Sequence, residues 1–190
     1  MGVMRCSSHT LDFLFSAVVN LKRILLTGGA GFIGSHTALA LFEAGYEVVL
    51  FDNLSTSSWS VVDRIRCFTR AQISFIEGDI LDETLLENVL VVEKIDGVIH
   101  FAGLKSVGDS LANPLQYFNN NVAGTISLLN AMKTANLKTL VFSSSANIYG
   151  VPQYLPIDEK HPKRETVRRK RRTHSPELKA KVVLATWMMK

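Results

Sequence analysis

Thr27-Gly28-Gly29-Ala30-Gly31-Phe32-Ile33-Gly34 is the stretch on which the fold turns. Gly29, Gly31 and Gly34 satisfy G-x-G-x-x-G, and Gly28, Gly31 and Gly34 satisfy the related G-x-x-G-x-x-G. Both patterns answer the same physical demands. The chain must turn tightly out of a strand, and a residue without a side chain must let the backbone touch a pyrophosphate. A further glycine lets the helix pack closely, and the helix N-terminus turns its partial positive charge toward the anion. Ordinary turns are also rich in glycine, so context decides. Here residues 23–27 form a short apolar run before the glycines. Residues 32–44 show helical spacing after them (Ile33, Leu39, Leu41) and close at Gly45. Strand, glycine turn and helix opening a βαβ unit are the context that a dinucleotide site requires.

Working outward, strands and helices alternate. Residues 47–51 read as a second strand, followed by a Ser-rich loop and a helix near residues 61–68. Residues 73–76 make a third strand, Asp82 caps a helix through about residue 90, and residues 97–101 make a fourth strand. Asn113-Pro114 reads as a cap followed by proline at the first helical position, opening a helix that runs to about residue 135. Residues 139–142 form a fifth strand, continuous and apolar, as strands buried on both faces should be. Five β-then-α units predict an α/β fold with a doubly wound, Rossmann-like parallel sheet of five recognisable strands.

A chain of 190 residues, 47% hydrophobic and 20% charged, has the composition of a folded domain rather than of a disordered chain. No apolar run reaches the roughly 18 residues of a membrane span, so no membrane association is expected. The net charge of +4 averages two unlike pieces. Residues 1–159 carry 10 Lys and Arg against 15 Asp and Glu, a net of −5. Residues 160–190 carry 11 against 2, a net of +9. The mildly acidic body gives no reason to expect a nucleic-acid partner. Cys6 and Cys67 are too few for a disulfide scaffold and suit a reducing, cytoplasmic location. No metal site is expected. The organisation read from these patterns is a leader over residues 1–21, a dinucleotide-binding domain over 22–159 and a basic tail over 160–190. The leader reads as upstream translation rather than a signal peptide, since its apolar stretch at residues 11–19 is short and broken by Ser16.

The loops at the carboxyl ends of the strands should line the ligand crevice. Asp52 closes the second strand, 18 residues after Gly34. A carboxylate there accepts hydrogen bonds from the adenosine ribose and repels a 2′-phosphate, which selects NAD over NADP. The alternative is that Asp52 only begins a turn with Asn53. Asp79 and Ile80 follow the third strand and flank the adenine. Phe101-Ala102-Gly103-Leu104-Lys105 follow the fourth, where Gly103 permits close approach. Lys105 is either a cation near phosphate or nicotinamide or an ordinary surface lysine. His100 reads as a packed strand residue rather than a catalyst. Ser143-Ser144-Ser145 follow the fifth strand, where hydroxyls would face the reacting end of the cofactor.

Several segments together closely resemble the UDP-glucose 4-epimerase family, within the extended short-chain dehydrogenase/reductase group. They are residues 26–36 (LTGGAGFIGSH), 51–55 (FDNLS), 77–79 (EGD), 99–110 (IHFAGLKSVGDS) and 142–150 (FSSSANIYG). The resemblance runs over residues 22–162, about three-quarters of the chain. It implies that Phe32 and Ile33 hold the pyrophosphate through backbone amides, and that Asp52 and Asn53 sit at the adenosine ribose. Asp79 and Ile80 would lie at the adenine, Phe101, Ala102, Gly103 and Lys105 along the nicotinamide half, and Asn120 would help hold the cofactor. Ser145 corresponds to the serine that hydrogen-bonds the sugar's 4-hydroxyl. The implied chemistry interconverts UDP-glucose and UDP-galactose through a transient 4-keto sugar, with bound NAD returning the hydride it takes. A homodimer through the long helix beginning at Pro114 is also implied. A 4,6-dehydratase shares the glycine motif but is disfavoured by the Gly-Leu-Lys-Ser-Val-Gly loop at residues 103–108.

The sequence departs from the family at the catalytic base, the tyrosine of Tyr-x-x-x-Lys. The lysine and the oxidised nicotinamide lower that phenol's pKa from about 10. None of Tyr46, Tyr117, Tyr149 and Tyr154 has Lys four positions later. Ser175-Pro-Glu-Leu-Lys-Ala-Lys181 resembles the family segment with Glu177 in the tyrosine's place and Lys181 retained. A carboxylate is a poor base for an alcohol, and the same segment also reads as a capped helix carrying surface charge. After Pro162 the resemblance ends in a basic run, and the family's C-terminal substrate domain has no counterpart. The expectation is a frame change or truncation near that point, leaving an inactive or weakly active chain. A non-catalytic NAD-binding remnant is the alternative.

Overall fold

The computed structural model describes residues 22–144, 151, 153–155, 161 and 183–185. Its strands are β1 (Arg23–Thr27), β2 (Glu47–Asp52), β3 (Ser74–Glu77), β4 (Gly97–His100), β5 (Leu140–Ser143) and β6 (Val183–Ala185). All pair parallel, in the order β3-β2-β1-β4-β5-β6. The helices are α1 (Phe32–Glu43), α2 (Trp59–Thr69), α3 (Glu83–Val92), α4 (Val107–Ala112), α5 (Pro114–Phe118) and α6 (Gly124–Thr134). A five-residue π turn, Asn119–Ala123, joins α5 to α6. No helix among the described residues is long and apolar enough to cross a membrane.

The alternation of side chains along each strand explains the two helical layers. Ile24 and Leu26 of β1, with Val48 and Leu50 of β2, pack with Ala38 and Leu41 of α1 and Ile65 of α2. Leu25, Val49 and Phe51 point the other way, into Leu86, Val89 and Leu90 of α3 and Leu128, Ala131 and Met132 of α6. A strand covered on both faces has no solvent side, so its sequence is apolar throughout. Each fully buried aliphatic side chain contributes about 1.5–3 kcal/mol. The chain runs outward from β1 through β2 to β3, then returns to β4 on the other side of β1. That reversal makes the carboxyl ends of β1 and β4 the switch point of the sheet, the place where such sheets take their ligands.

The element ends follow local chemistry. Asp82 caps α3, its Oδ1 accepting from Leu85 N–H at 2.9 Å, and α1 gives way to Gly45 at φ +86°. Strands β3, β4 and β5 begin within one residue of their expected positions. Four features differ from the sequence reading. The short helix α4 was not anticipated, because the Ser-Val-Gly-Asp-Ser stretch carries no apolar periodicity. It is started by Ser106, whose Oγ accepts from Asp109 N–H at 3.3 Å. Asn113 does stand before Pro114, but its side chain makes no capping hydrogen bond. The long run from Pro114 to Thr134 is helical as expected, except that Gly124 N–H reaches back five residues to Asn119 O. The sheet also has a sixth strand: Val183–Ala185, within the stretch read as a divergent tail, pairs with β5. The leader and the 175–181 segment lie outside the described residues.

Candidate dinucleotide site

The glycine turn after β1 is shaped by what a side chain would strike. Gly28 has φ +69°, and a Cβ there would meet the backbone of Phe101 and Ala102 at 2.7 Å. The turn after β1 is thus pressed against the loop after β4. A Cβ on Gly34 would lie 2.2 Å from Gly28 O, so the first turn of α1 can sit on the glycine turn only without one. Gly31 differs. A Cβ there would meet only Gly28 O, at 3.2 Å, a tight contact that a shift of a few tenths of an ångström relieves, so packing demands glycine less here than at Gly28 or Gly34. Gly31 is also the N-cap of α1, and it supplies no side-chain cap, nor does the first turn contain an acidic residue. The leading N–H groups of a helix have no intrahelical acceptor. Here those of Phe32 and Ile33 follow a residue with no side chain, with the positive end of the helix behind them. This is a cradle for an anion.

Asp52 organises the neighbouring loops. Its Oδ2 accepts from Ala30 N–H at 3.0 Å, and its Oδ1 accepts from Leu54 N–H at 2.9 Å and the Ser57 hydroxyl at 3.0 Å. The Leu54 bond holds a non-glycine residue at φ +56°. The turn-starting role is therefore present, and it does not exhaust the group. A carboxylate offers about four acceptor positions, so roughly one remains. Asn53 is exposed and donates from Nδ2 to Asp79 Oδ2 at 3.0 Å. Asp79 in turn accepts from Leu81 N–H at 2.9 Å. The loops after β2 and β3 are thereby tied together. Ile80 is buried, its side chain against Gly124, where a Cβ would come within 2.5 Å of it. Any contact it makes with a ligand is through backbone.

The loop after β4 is held by side chains. Asn121 takes Leu104 by both backbone groups, with Oδ1 accepting from its N–H at 2.8 Å and Nδ2 donating to its C=O at 3.0 Å. Asn120 Nδ2 donates to Ala102 O at 3.3 Å and to Asn121 Oδ1 at 2.9 Å. Gly103 N–H closes a tight turn on Phe101 O at 2.7 Å. Beneath the loop, His100 is buried, with its Nδ1 2.7 Å from Thr27 Oγ1 and its Nε2 3.2 Å from Thr125 Oγ1. Burial first, and the positive charge of Lys105 second, lower its pKa to about 4, so the imidazole is neutral at pH 7.

The structure thus brings Gly28, Gly31, Phe32, Ile33, Gly34, Asp52, Asn53, Asp79, Ile80, Phe101, Ala102, Gly103, Lys105 and Asn120 to the carboxyl ends of β1 to β4. Ser145, Tyr149, Glu177 and Lys181 lie outside the described residues. Asn121 was missed by the sequence reading, which singled out its neighbour Asn120. The signal was available in the repeated Asn119-Asn120-Asn121, but only the π turn determines which amide faces Leu104.

Comparison with known proteins places this geometry. The profile of the GDP-mannose 4,6-dehydratase family matches residues 25–168. The UDP-glucose 4-epimerase of Bacillus subtilis is 50% identical over 139 residues, covering 73% of this chain and 41% of that protein. That of Yersinia enterocolitica is 52% identical over 137 residues, covering 72% and 41%. The chain therefore spans about two-fifths of the length of these curated relatives. Among solved structures, a UDP-glucose 4-epimerase from Stenotrophomonas maltophila, with bound NAD and formylated UDP-arabinopyranose, superposes with a TM-score of 0.69 at 44% identity. The match covers 75% of this chain and 42% of that one. The Bifidobacterium longum enzyme in complex with NAD+ and UDP gives 0.69 at 46% identity, with the same coverage. With its family profile spanning most of the chain, this protein belongs to the GDP-mannose 4,6-dehydratase family and within it is similar to the UDP-glucose 4-epimerases.

Proposed function

We propose that the chain is a UDP-glucose 4-epimerase by descent, that its described residues form a site for NAD, and that this 190-residue polypeptide turns over UDP-hexoses at trace rates or not at all. The observation that carries the cofactor reading is the uncapped N-terminus of α1 beside Gly31, the glycine of the turn where an added Cβ would meet the least, a single backbone oxygen at 3.2 Å. Phe32 and Ile33 would donate their N–H groups to the pyrophosphate, and the free acceptor position of Asp52 would take a ribose hydroxyl. The same carboxylate repels a 2′-phosphate, which favours NAD over NADP. Asn53 and the Asp79–Ile80 backbone would border the adenosine, with Phe101, Ala102, Gly103, Lys105 and Asn120 bordering the nicotinamide half.

When bound, NAD supplies a hydride acceptor and donor for C4 of the hexose. In this reading Ser145 hydrogen-bonds the 4-hydroxyl. The missing part is the proton acceptor, since no tyrosine of the sequence precedes a lysine by four positions. Glu177, four positions before Lys181 in the sequence, is a poor substitute, because a carboxylate of reference pKa about 4.3 hardly draws a proton from an alcohol. The chain is accordingly placed in the cytoplasm, in galactose metabolism, as an NAD-binding relative with little or no epimerase activity. A second copy of the chain is its proposed partner. Leu115, Phe118, Val122 and Ile126 recur every three or four residues along the continuous helical run from Pro114 and are all exposed, an apolar stripe of the kind that marks an interface.

Titration calorimetry with NAD and NADP, beside incubation with UDP-galactose, tests the proposal. The expected result is one NAD site, binding of NADP weaker by about tenfold or more, and no more than trace UDP-glucose. Folded protein that ignores NAD overturns the cofactor reading. Rapid conversion overturns the reading of the missing tyrosine.

A further inference from the structure

One feature of the core serves neither packing nor the ligand contacts above: a line of polar side chains running from β1 across β4 to the π turn. The proton directions in it follow from the hydroxyl of Thr125 and from a neutral imidazole at His100. Thr125 Oγ1 donates to Asn121 O at 2.7 Å, so its lone pairs face His100 Nε2, 3.2 Å away, and that nitrogen carries the imidazole proton. Nδ1 is then the acceptor, and it takes the hydroxyl proton of Thr27 at 2.7 Å. Thr27 is fully buried, so its hydroxyl has to find such a partner. The order is Thr27 O–H to His100 Nδ1, His100 Nε2–H to Thr125 Oγ1, and Thr125 O–H to Asn121 C=O. Phe142 lies against the imidazole with ring centroids 5.3 Å apart.

This line ends at the residue that clamps Leu104. A π turn holds one residue more than an α-turn and is rare unless something fixes it. Slipping back by one residue would swing Asn121 about 100° around the helix axis, away from Leu104. The Thr125 hydroxyl holds the Asn121 carbonyl and is itself held by the strand through His100.

We infer that Thr125 and His100 are positioning residues, whose hydrogen bonds fix the π turn against β4 and so set the 101–105 loop for the nicotinamide half of the cofactor. The inference deepens the proposed function and rests on it for the identity of the ligand. The hydrogen-bond line and the clamp stand without it.

The decisive variant is Thr125→Val, which keeps the shape and removes the hydroxyl. Thr125→Ala gives a second probe with less steric risk, and Thr125→Ser restores the hydroxyl. In the unliganded protein, the Leu104 amide should exchange about tenfold faster in Thr125→Val than in the parent, with Thr125→Ser near the parent. In binding, Thr125→Val should weaken NAD about tenfold while ADP-ribose, which lacks the nicotinamide, stays within about twofold. A general structural defect would lower both ligands together. Unchanged Leu104 exchange in both hydroxyl-free variants, or equal losses of NAD and ADP-ribose, overturns the inference. If the parent binds neither ligand while the exchange result holds, the cofactor reading has failed and the loop clamp has not.

Discussion

The turn after β1 and the loop after β4 lie against each other, yet they are built on opposite principles. The first is shaped by missing side chains. Gly28, Gly29 and Gly34 stand where any Cβ would strike the backbone at 2.9 Å or less. The second is shaped by side chains reaching in from a helix, with Asn121 holding both backbone groups of Leu104 and Asn120 holding Ala102. A backbone-shaped turn tolerates almost no substitution, because the obstacle is the main chain itself. A clamp held by side chains fails by degrees, because each hydrogen bond can be lost separately.

Substitution should expose that difference. Gly34→Ala is expected to have the largest effect. Its Cβ would sit 2.2 Å from Gly28 O, and the strain should cost about 3 kcal/mol or more, enough to lower the folded fraction sharply in a urea titration. A pH titration reaches the second element. His100 has its pKa lowered to about 4, chiefly by burial, against about 6.5 in an unfolded chain. The unfolded state therefore binds the proton first as the pH falls. Stability should be unaffected above about pH 6.5, decline between about 6.5 and 4 by roughly 3 kcal/mol in total, and change no further from this group below that. Chemical denaturation at a series of pH values reads this directly, and His100→Phe should flatten the decline. Asn121→Ala should cost less, about 1–3 kcal/mol, since it strips Leu104 of both partners on a partly exposed loop. It should leave the fold of β1 and α1 intact by amide exchange.

The same contrast explains what the sequence disclosed. The glycine turn and the five strands from Arg23–Thr27 to Leu140–Ser143 were legible, because steric exclusion and two-sided burial both write themselves into residue type. Asp82 as a cap was legible for the same kind of reason, being local. Asn113 looked equally good beside Pro114 but makes no cap bond, since a local pattern cannot tell which way a side chain turns. The π turn, the choice of Asn121 over Asn120 and the pairing of His100 with Thr27 and Thr125 depend on register between distant segments. Nothing in the residue types at those positions encodes that register. His100 read correctly as a packed strand residue, but its two partners were invisible. Strand β6 was missed because Val183–Ala185 follows a strongly basic stretch and carries no signal beyond three short apolar residues.

We propose that Gly31 is glycine for the sake of a ligand and Gly34 for the sake of the fold. Calorimetric NAD binding by Gly31→Ala, set beside the parent and checked by thermal unfolding, tests it most directly. The expected variant stays within about 1 kcal/mol of the parent in stability and has lost NAD affinity by about tenfold or more. A stable Gly31→Ala protein that binds NAD as well as the parent, or a folded parent that does not bind it at all, would rule out a cofactor at this turn.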